Sequence, residues 1–319
     1  LTGNGNWTQS VNAANNQITT VSYDANGNQT QSAIVGQSGN ATLSYDVENR
    51  LTAMVYGTNP QVTIGQYAYN PSNQRVWRKA VEHGVTAEYF YFYGLDGRRE
   101  ATYKVTSNAP TGLNSYRAAL VGTAQDVLVY FGGETIQEGT YGSTLSLSYV
   151  TADRLGSMPG GAKLDPYGQE ITATANDKVK FATYLRDGES GIDYALNRYY
   201  AAGRGRFLTV DPAIGSAGAD NPESWNRYSY VLNDTVNSHD PQGLCAVLIA
   251  GITQTPSHNS TDAADQAREF ANEIGAITAY PYAGGTVAGG VANIIAQGMG
   301  IPTGATLAVL NAIALAAQN

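Results

Sequence analysis

The sequence predicts a mostly β protein: a ribbon of antiparallel hairpins, then a compact segment rich in turns, then a short α-helical tail. Three observations support this fold class. Only 14% of the residues are charged, while glycine (36 residues) and tyrosine (22) are abundant. Tyrosine favours strands and glycine favours tight turns, so this composition indicates β structure with many turns. In addition, a tyrosine-led motif recurs along the first hundred residues, and the sequence changes character after residue 244.

The ribbon is predicted from a degenerate repeat that begins with tyrosine and has Gly or Asn at its fifth position. Its four units are Tyr23–Gly27, Tyr45–Asn49, Tyr69–Asn73 and Tyr93–Gly97, and their tyrosines are 22, 24 and 24 residues apart. Gly and Asn are the residues that most easily adopt a positive φ. We therefore expect each unit to end a strand in a tight turn, with the tyrosines at equivalent places in successive hairpins of one sheet. A solid antiparallel sandwich is the alternative.

The segment from 186 to 244 is dense in Tyr, Arg, Asp, Gly and Asn, and it contains two Asp-Pro motifs. The first begins at Asp211 and reads Asp-Pro-Ala-Ile-Gly, and the second begins at Asp240 and reads Asp-Pro-Gln-Gly-Leu. Aspartate followed by proline suits the first two positions of a type I turn. A turn is therefore expected at both motifs, whatever else the aspartates do.

The repeat and this segment together resemble Rhs/YD-repeat proteins, which include the shells of bacterial polymorphic toxins and the C components of insecticidal toxin complexes. The resemblance implies three domains: a YD-repeat hairpin ribbon that forms part of a spiral shell (1–185), an Rhs core plug (186–244) and a variable tail (245–319). In this family the core is an intramolecular aspartyl protease that cuts after the Asp-Pro-x-Gly-Leu motif. The scissile bond implied here is Leu244–Cys245.

The resemblance also implies the catalytic residues Asp211, Asp240 and Arg198. Two-carboxylate chemistry needs one carboxylate ionised to activate water and a protonated neighbour to polarise the scissile carbonyl. Arg198 would hold one carboxylate in its ionised form or stabilise the developing oxyanion. The alternative is that both aspartates only begin turns and that Arg198 stacks on Tyr199 or Tyr228. Two departures from the family pattern are the longer first motif and the separation of the two aspartates by 29 positions.

Other chemistry is not indicated by the sequence. Asp187, Glu189 and Asp193 are predicted to be solvated or sheet-edge charges. The single cysteine excludes an intrachain disulfide, the three histidines are scattered, and we expect no metal site and no cofactor. The formal net charge of −8 and the lack of a basic stripe argue against a nucleic-acid partner.

The tail is predicted to be helical in its first part. Thr261 is a plausible N-cap for an amphipathic helix from Asp262 to Ile277, and residues 274–319 contain no charged side chain. Glycine pairs and Pro302 interrupt the apolar run, so no continuous membrane span is predicted. Three interpretations stay open: cargo sheltered by the shell, helices that contact a membrane, or an inert remnant of a longer toxin.

The leading functional hypothesis is a delivery shell whose partner is its own C-terminal segment, carried as cargo and released by self-cleavage. The alternative is a non-cleaving surface or wall-associated scaffold that contacts cell-surface or carbohydrate targets through the ribbon. Both hypotheses predict a secreted or cell-surface protein. The sequence begins at Leu1 without a signal-peptide pattern, so we expect it to be a fragment or a processed form.

Overall fold

The computed structural model describes most of the chain up to residue 244 and three short strands beyond it. The described residues are 9–34, 38–82, 84–106, 123–131, 134–141, 144–153, 155–158, 160–213, 216–218, 221–244, 247–248, 279–280 and 293–294. The chain divides into two compact units, Leu1–Val210 and Asp211–Asn319. The predicted domain boundaries after residues 185 and 244 stay predictions.

The first unit contains a ten-stranded antiparallel sheet in which each strand pairs with its neighbour in sequence. Its strands are β1 (Gln31–Ala33), β2 (Asn40–Tyr45), β3 (Leu51–Tyr56), β4 (Val62–Tyr69), β5 (Arg75–Glu82), β6 (Val85–Tyr93), β7 (Arg99–Thr106), β8 (Thr123–Phe131), β9 (Glu134–Tyr141) and β10 (Leu145–Tyr149). The predicted β fold class and its antiparallel hairpin ribbon are thus confirmed.

The repeat units form turns of one type. In the second unit the Asn49 N–H donates to the Asp46 carbonyl, and the Asp46 N–H donates to the Arg50 carbonyl. The same pair of bonds occurs at equivalent positions in the other three units and again in the segments 153–157 and 165–169. The fifth residue has a positive φ in every case, at Gly27 (85°), Asn49 (62°), Asn73 (62°), Gly97 (78°), Gly156 (78°) and Gly168 (84°). The predicted left-handed position is therefore confirmed.

The repeat tyrosines tie each hairpin to the one before it. In the second, third and fourth units, the tyrosine hydroxyl donates to a backbone carbonyl of the preceding hairpin. The accepting residue lies six places after the preceding repeat tyrosine. The bonds run from Tyr45 to Gln29 (2.8 Å), from Tyr69 to Leu51 (2.7 Å) and from Tyr93 to Arg75 (2.8 Å). Tyr130 makes the equivalent bond to the Arg99 carbonyl (2.7 Å), so the structure adds a repeat position that the motif does not mark. Tyr23 forms an isolated bridge with Gln29, outside the named strands.

A second antiparallel sheet of five short strands packs on the repeat sheet within the first unit. Its strands are β11 (Lys178–Val179), β12 (Leu185–Arg186), β13 (Asp193–Ala195), β14 (Arg198–Ala201) and β15 (Arg206–Phe207). One core cluster combines Leu43, Met54 and Tyr67 of the repeat sheet with Tyr194 and Tyr199 of the second sheet. A 3₁₀ turn at Ala202–Arg204 links β14 to β15.

The second unit contains little regular structure in its described part. It includes 3₁₀ turns at Pro222–Trp225 and Val231–Asn233 and a two-stranded pair of β16 (Ser238–His239) with β17 (Val247–Leu248). A further pair joins β18 (Ala279–Tyr280) to β19 (Asn293–Ile294). The helix predicted for 262–277 lies outside the described residues. Among the described residues, no helix has the length and apolarity needed to cross a membrane.

Candidate functional site

Asp240 begins a closed turn at the predicted cleavage motif. Its Oδ1 accepts the Leu244 N–H at 3.0 Å, and its carbonyl accepts the Gly243 N–H at 3.5 Å. Gly243 has a φ of 68°, which lets the chain reverse within the motif. The Asp240 residue is only 2% exposed. A buried carboxylate is thus attached to the backbone of the residue that precedes the predicted scissile bond.

Asp211 is likewise buried at the start of its own turn. Its Oδ1 accepts the Ala213 N–H at 2.8 Å, and its backbone N–H donates to the Arg227 carbonyl at 3.1 Å. The Arg227 guanidinium donates to the carbonyls of Asp211 and Ala213. The predicted turn is present, and Asp211 is only 7% exposed.

Arg198 lies on β14 in the first unit, whereas Asp211 and Asp240 belong to the second. The Arg198 guanidinium carbon lies 3.5 Å from the centre of the Phe207 ring, so Arg198 stacks on Phe207. Arg198 is buried and also lines a small cavity together with Tyr69 and Tyr199. Leu244 is half-buried, and Cys245 lies outside the described residues.

The prediction that Asp187, Glu189 and Asp193 are solvated or sheet-edge charges is wrong, because all three are buried. Asp187 accepts hydrogen bonds from both terminal nitrogens of Arg75, at 2.6 and 2.7 Å. Asp193 accepts two hydrogen bonds from Arg186, at 2.7 and 2.8 Å. Bidentate pairing of this kind compensates for the loss of hydration, which explains how these carboxylates tolerate burial.

Glu189 belongs to the same buried network, which links the two sheets. One of its carboxylate oxygens accepts the Tyr67 hydroxyl at 2.6 Å, and the other accepts Arg78 Nη1 at 3.0 Å. Arg78 also donates to Asp187 at 3.0 Å and pairs with Asp177 at 2.7 Å. Burial raises the pKa of the Glu189 carboxyl to about 7, against the opposing charge of Arg78.

Three carboxylates of this network, those of Asp177, Asp187 and Glu189, have oxygens within 4.8 Å of one another. Each of them accepts a hydrogen bond or ion pair from Arg75 or Arg78, so guanidinium groups supply the local positive charge. Sequence reasoning missed both arginines. Tyr69 lies opposite Arg75 and Tyr67 lies opposite Arg78, with a register shift between the two pairs. This bulge puts two arginines that are three residues apart on one face of β5.

No model of a known protein family matches the chain. The tRNA3(Ser)-specific nuclease WapA of Bacillus spizizenii is 28% identical over 206 residues, which are 61% of this chain and 8% of that protein. The toxin protein Tse5 of Pseudomonas aeruginosa is 37% identical over 71 residues, which are 22% of this chain and 5% of that protein. The chain thus spans a small part of the length of these relatives.

Among solved structures, the chain is similar to the TcdB2–TccC3 toxin complex. The TM-score is 0.51 at 20% identity, over 70% of this chain and 11% of that one. The TcdB2–TccC3–Cdc42 structure gives a TM-score of 0.52 at 20% identity, over the same shares of the two chains. At this identity the likeness shows the fold alone. The matches together support a relationship to polymorphic toxins of the Rhs type.

Proposed function

We propose that the chain is part of an Rhs-type toxin shell that releases its own C-terminal segment by cleaving the Leu244–Cys245 bond. Asp211 and Asp240 would supply the two carboxylates and Arg198 the supporting cation. The observation that carries this proposal is the hydrogen bond from the Leu244 N–H to Asp240 Oδ1 at 3.0 Å. It holds a buried carboxylate one peptide unit from the bond that the motif marks.

The proposed reaction is a hydrolysis. One carboxylate accepts a proton from water as the water oxygen attacks the Leu244 carbonyl carbon, while the protonated carboxyl donates to the carbonyl oxygen. The C–N bond then breaks, the Cys245 nitrogen takes a proton, and Leu244 is left with a new carboxylate. Because the substrate is tethered to the site, each molecule needs only one turnover at a high effective concentration.

Intact-mass measurement of the purified protein tests this proposal. Wild-type protein should give two polypeptides, the smaller one beginning at Cys245, whereas Asp211→Asn and Asp240→Asn should each leave one intact chain. Asp234→Asn is the matched control, because the half-buried Asp234 carboxylate caps the Asn237 N–H in the same unit and has no proposed role. Cleavage of Asp211→Asn at the wild-type rate would reject the assignment.

The similarity to toxins also supports proposals about partners and location. TccC3 is found in complex with a partner chain, TcdB2, in the similar structures. We infer that the C-terminal segment of this chain is its cargo and that the protein acts outside the producing cell or at its surface. We also propose that the tail contacts a membrane, since residues 274–319 carry no charged side chain that would oppose this contact.

A specific observation also favours the alternative, a non-cleaving scaffold that contacts carbohydrate. Phe90 and Phe92 of β6 and Tyr103 of β7 are exposed on one face of the repeat sheet, and the Phe92 and Tyr103 rings meet edge to face at 5.3 Å. Exposed aromatic rings provide apolar faces on which sugar rings stack. If this function holds, wild-type protein stays intact and sediments with cell-wall polysaccharide, and Phe92→Ser with Tyr103→Ser abolishes the sedimentation.

A further inference from the structure

Among the described residues, no strand or charged side chain protects the outer edge of β10. β10 is the last strand of the ten-stranded sheet, and no described strand pairs with its far side. Its sequence, Leu-Ser-Leu-Ser-Tyr, has no charge and no proline, and its pairing with β9 shows no register shift. Soluble proteins protect edge strands with charges, prolines, bulges or a covering element. An uncharged strand that is exposed at every residue is suited to pairing with another strand.

The hydrogen-bond pattern shows which backbone groups face the open edge. The Val150 N–H donates to the Ile136 carbonyl at 3.1 Å, in the same register that pairs Ser148 with Glu138. In an antiparallel pair, inward-facing and outward-facing residues alternate along the strand. The N–H and C=O groups of Leu145, Leu147 and Tyr149 therefore point away from β9, towards the open edge.

The side chains of the same three residues form an apolar stripe. Leu145 is 41%, Leu147 48% and Tyr149 85% exposed. Leu147 lies opposite Gly139, which lies opposite Val127 of β8. A Cβ at Gly139 would lie within 2.9 Å of both leucine side chains, so the leucines cover that glycine.

This stripe continues a cross-strand row of small and apolar residues. The row runs from the exposed Phe92 through Ala101, Val127 and Gly139 to Leu147 at the edge. Residues directly opposite each other in neighbouring strands share one face of the sheet. A strand that pairs with β10 would therefore extend the row, provided that the residues it places opposite the stripe are apolar.

We propose that a second copy of this chain docks at this edge, with the two β10 strands antiparallel about a two-fold axis at Leu147. This register places Leu147 opposite its own copy and Leu145 opposite Tyr149 of the other copy. The residues brought together are those whose N–H and C=O groups face outward, so each pair exchanges both backbone hydrogen bonds. The strand is thus complementary to itself, as a two-fold interface requires. A charged peptide would find no counter-charge on β10.

Disulfide trapping in the full chain tests the register. In a Cys245→Ser background, Leu147→Cys should give a cross-linked dimer under mild oxidation, because directly opposite Cα atoms in such a pair are about 5.5 Å apart. Tyr149→Cys alone should not cross-link, whereas a mixture of Leu145→Cys and Tyr149→Cys proteins should. Equal cross-linking of all single variants, or none from Leu147→Cys, overturns the proposal.

Light scattering tests the association itself. Wild-type protein should be dimeric, and salt should strengthen the dimer because each copy carries a net charge of −8. Leu147→Lys places two ammonium groups directly opposite each other and should weaken dimerisation by about tenfold or more. Ser148→Lys is the matched control, since Ser148 bonds towards β9 and its side chain lies on the other face. A monomeric wild type, or a dimer that Leu147→Lys leaves unchanged, contradicts the proposal. Circular dichroism checks that both lysine variants fold.

Discussion

At each turn of the ribbon, one side chain satisfies backbone donors that the turn leaves unpaired. Asp46 Oδ1 accepts the N–H groups of Glu48 (3.0 Å) and Arg50 (2.9 Å), and Asn70 does the same in the next unit. The fourth unit has Gly94 at this position, and there Asp96 Oδ1 accepts the Arg98 N–H at 3.0 Å. The turn tolerates the loss of its usual acceptor because a neighbour two residues on replaces it.

Glu189 gives the residue-scale prediction. Its carboxyl pKa is raised from 4.5 to about 7, so the folded state keeps a proton that the unfolded chain releases between these values. The free energy of unfolding should therefore fall as the pH rises through this window. The glutamine side chain of Glu189→Gln cannot titrate. The difference in the free energy of unfolding, variant minus wild type, should therefore increase from pH 5 to pH 7.5. Thermal unfolding followed by circular dichroism at several pH values measures this difference.

Glu223→Gln is the control for this experiment, because Glu223 is exposed on a 3₁₀ turn. Its pH profile should run parallel to that of the wild type. Identical pH profiles for wild type and Glu189→Gln would show that Glu189 does not hold a proton in the folded state.

At the scale of the element, the fifth position of the repeat gives a prediction about turn stability. Gly97 has a φ of 78°, and a Cβ there would lie 3.3 Å from Gln74 Nε2. Asn occupies the equivalent position at Asn49 and Asn73 with a φ of 62°, so Gly97→Asn should change stability little. Gly97→Val should destabilise by about 1–2 kcal/mol, since a β-branched residue fits the left-handed region poorly. Chemical denaturation of both variants checks this order, and equal stability would contradict the turn assignment.

The hairpins are linked elements rather than independent ones. Tyr45, Tyr69 and Tyr93 each bond to the backbone of the preceding hairpin. The turns also contact one another, as in the bond from Gln74 Nε2 to the Gly97 carbonyl at 3.0 Å. Structural repeats of this kind are stabilised by contacts with their neighbours, so a single hairpin should not fold alone. The repeat period in the sequence therefore reflects the spacing at which a tyrosine of one hairpin reaches the backbone of the hairpin before it.

At the scale of the whole molecule, buried ion pairs connect the repeat sheet to the segment that precedes β13. Arg75 is fully buried, pairs with Asp187 on two atoms, and lies 4.3 Å from the centre of the Tyr194 ring. Removing one member of such a pair leaves a buried charge without compensation and costs about 3–5 kcal/mol. The network therefore contributes more to fixing the packing of the two sheets of the first unit than to the net free energy of unfolding.

The uncharged tail gives the prediction that concerns the molecule as a whole. Residues 274–319 have no charged side chain, and a small free domain needs polar surface to stay dispersed. Expressed alone, 245–319 should be poorly ordered or aggregate, should gain helix with lipid vesicles, and should show no enzymatic activity. A monomeric fold that melts cooperatively in plain buffer would reject both the sheltered and the membrane-contacting interpretations.

The sequence by itself determined the ribbon and its turns. The spacing of the tyrosines and the Gly or Asn at the fifth position predicted the left-handed residues at Gly27, Asn49, Asn73 and Gly97, because these turns are local and depend on backbone sterics. The Asp-Pro motifs likewise predicted turns at Asp211 and Asp240, and both are present. Their catalytic roles stay predictions, because a turn aspartate and a catalytic aspartate have the same local sequence.

Only the tertiary structure decided which charged residues are buried. Asp187, Glu189 and Asp193 look like surface charges in the sequence. The partners of Asp187 and Glu189, Arg75 and Arg78, are about a hundred residues away in the chain, whereas Asp193 pairs with Arg186 seven residues before it. A bulge in β5 brings both arginines to one face, and the packing of a second sheet then buries them together with Asp187 and Glu189. The energy of a buried ion pair depends on geometry between distant segments, and no local pattern in the sequence records that geometry.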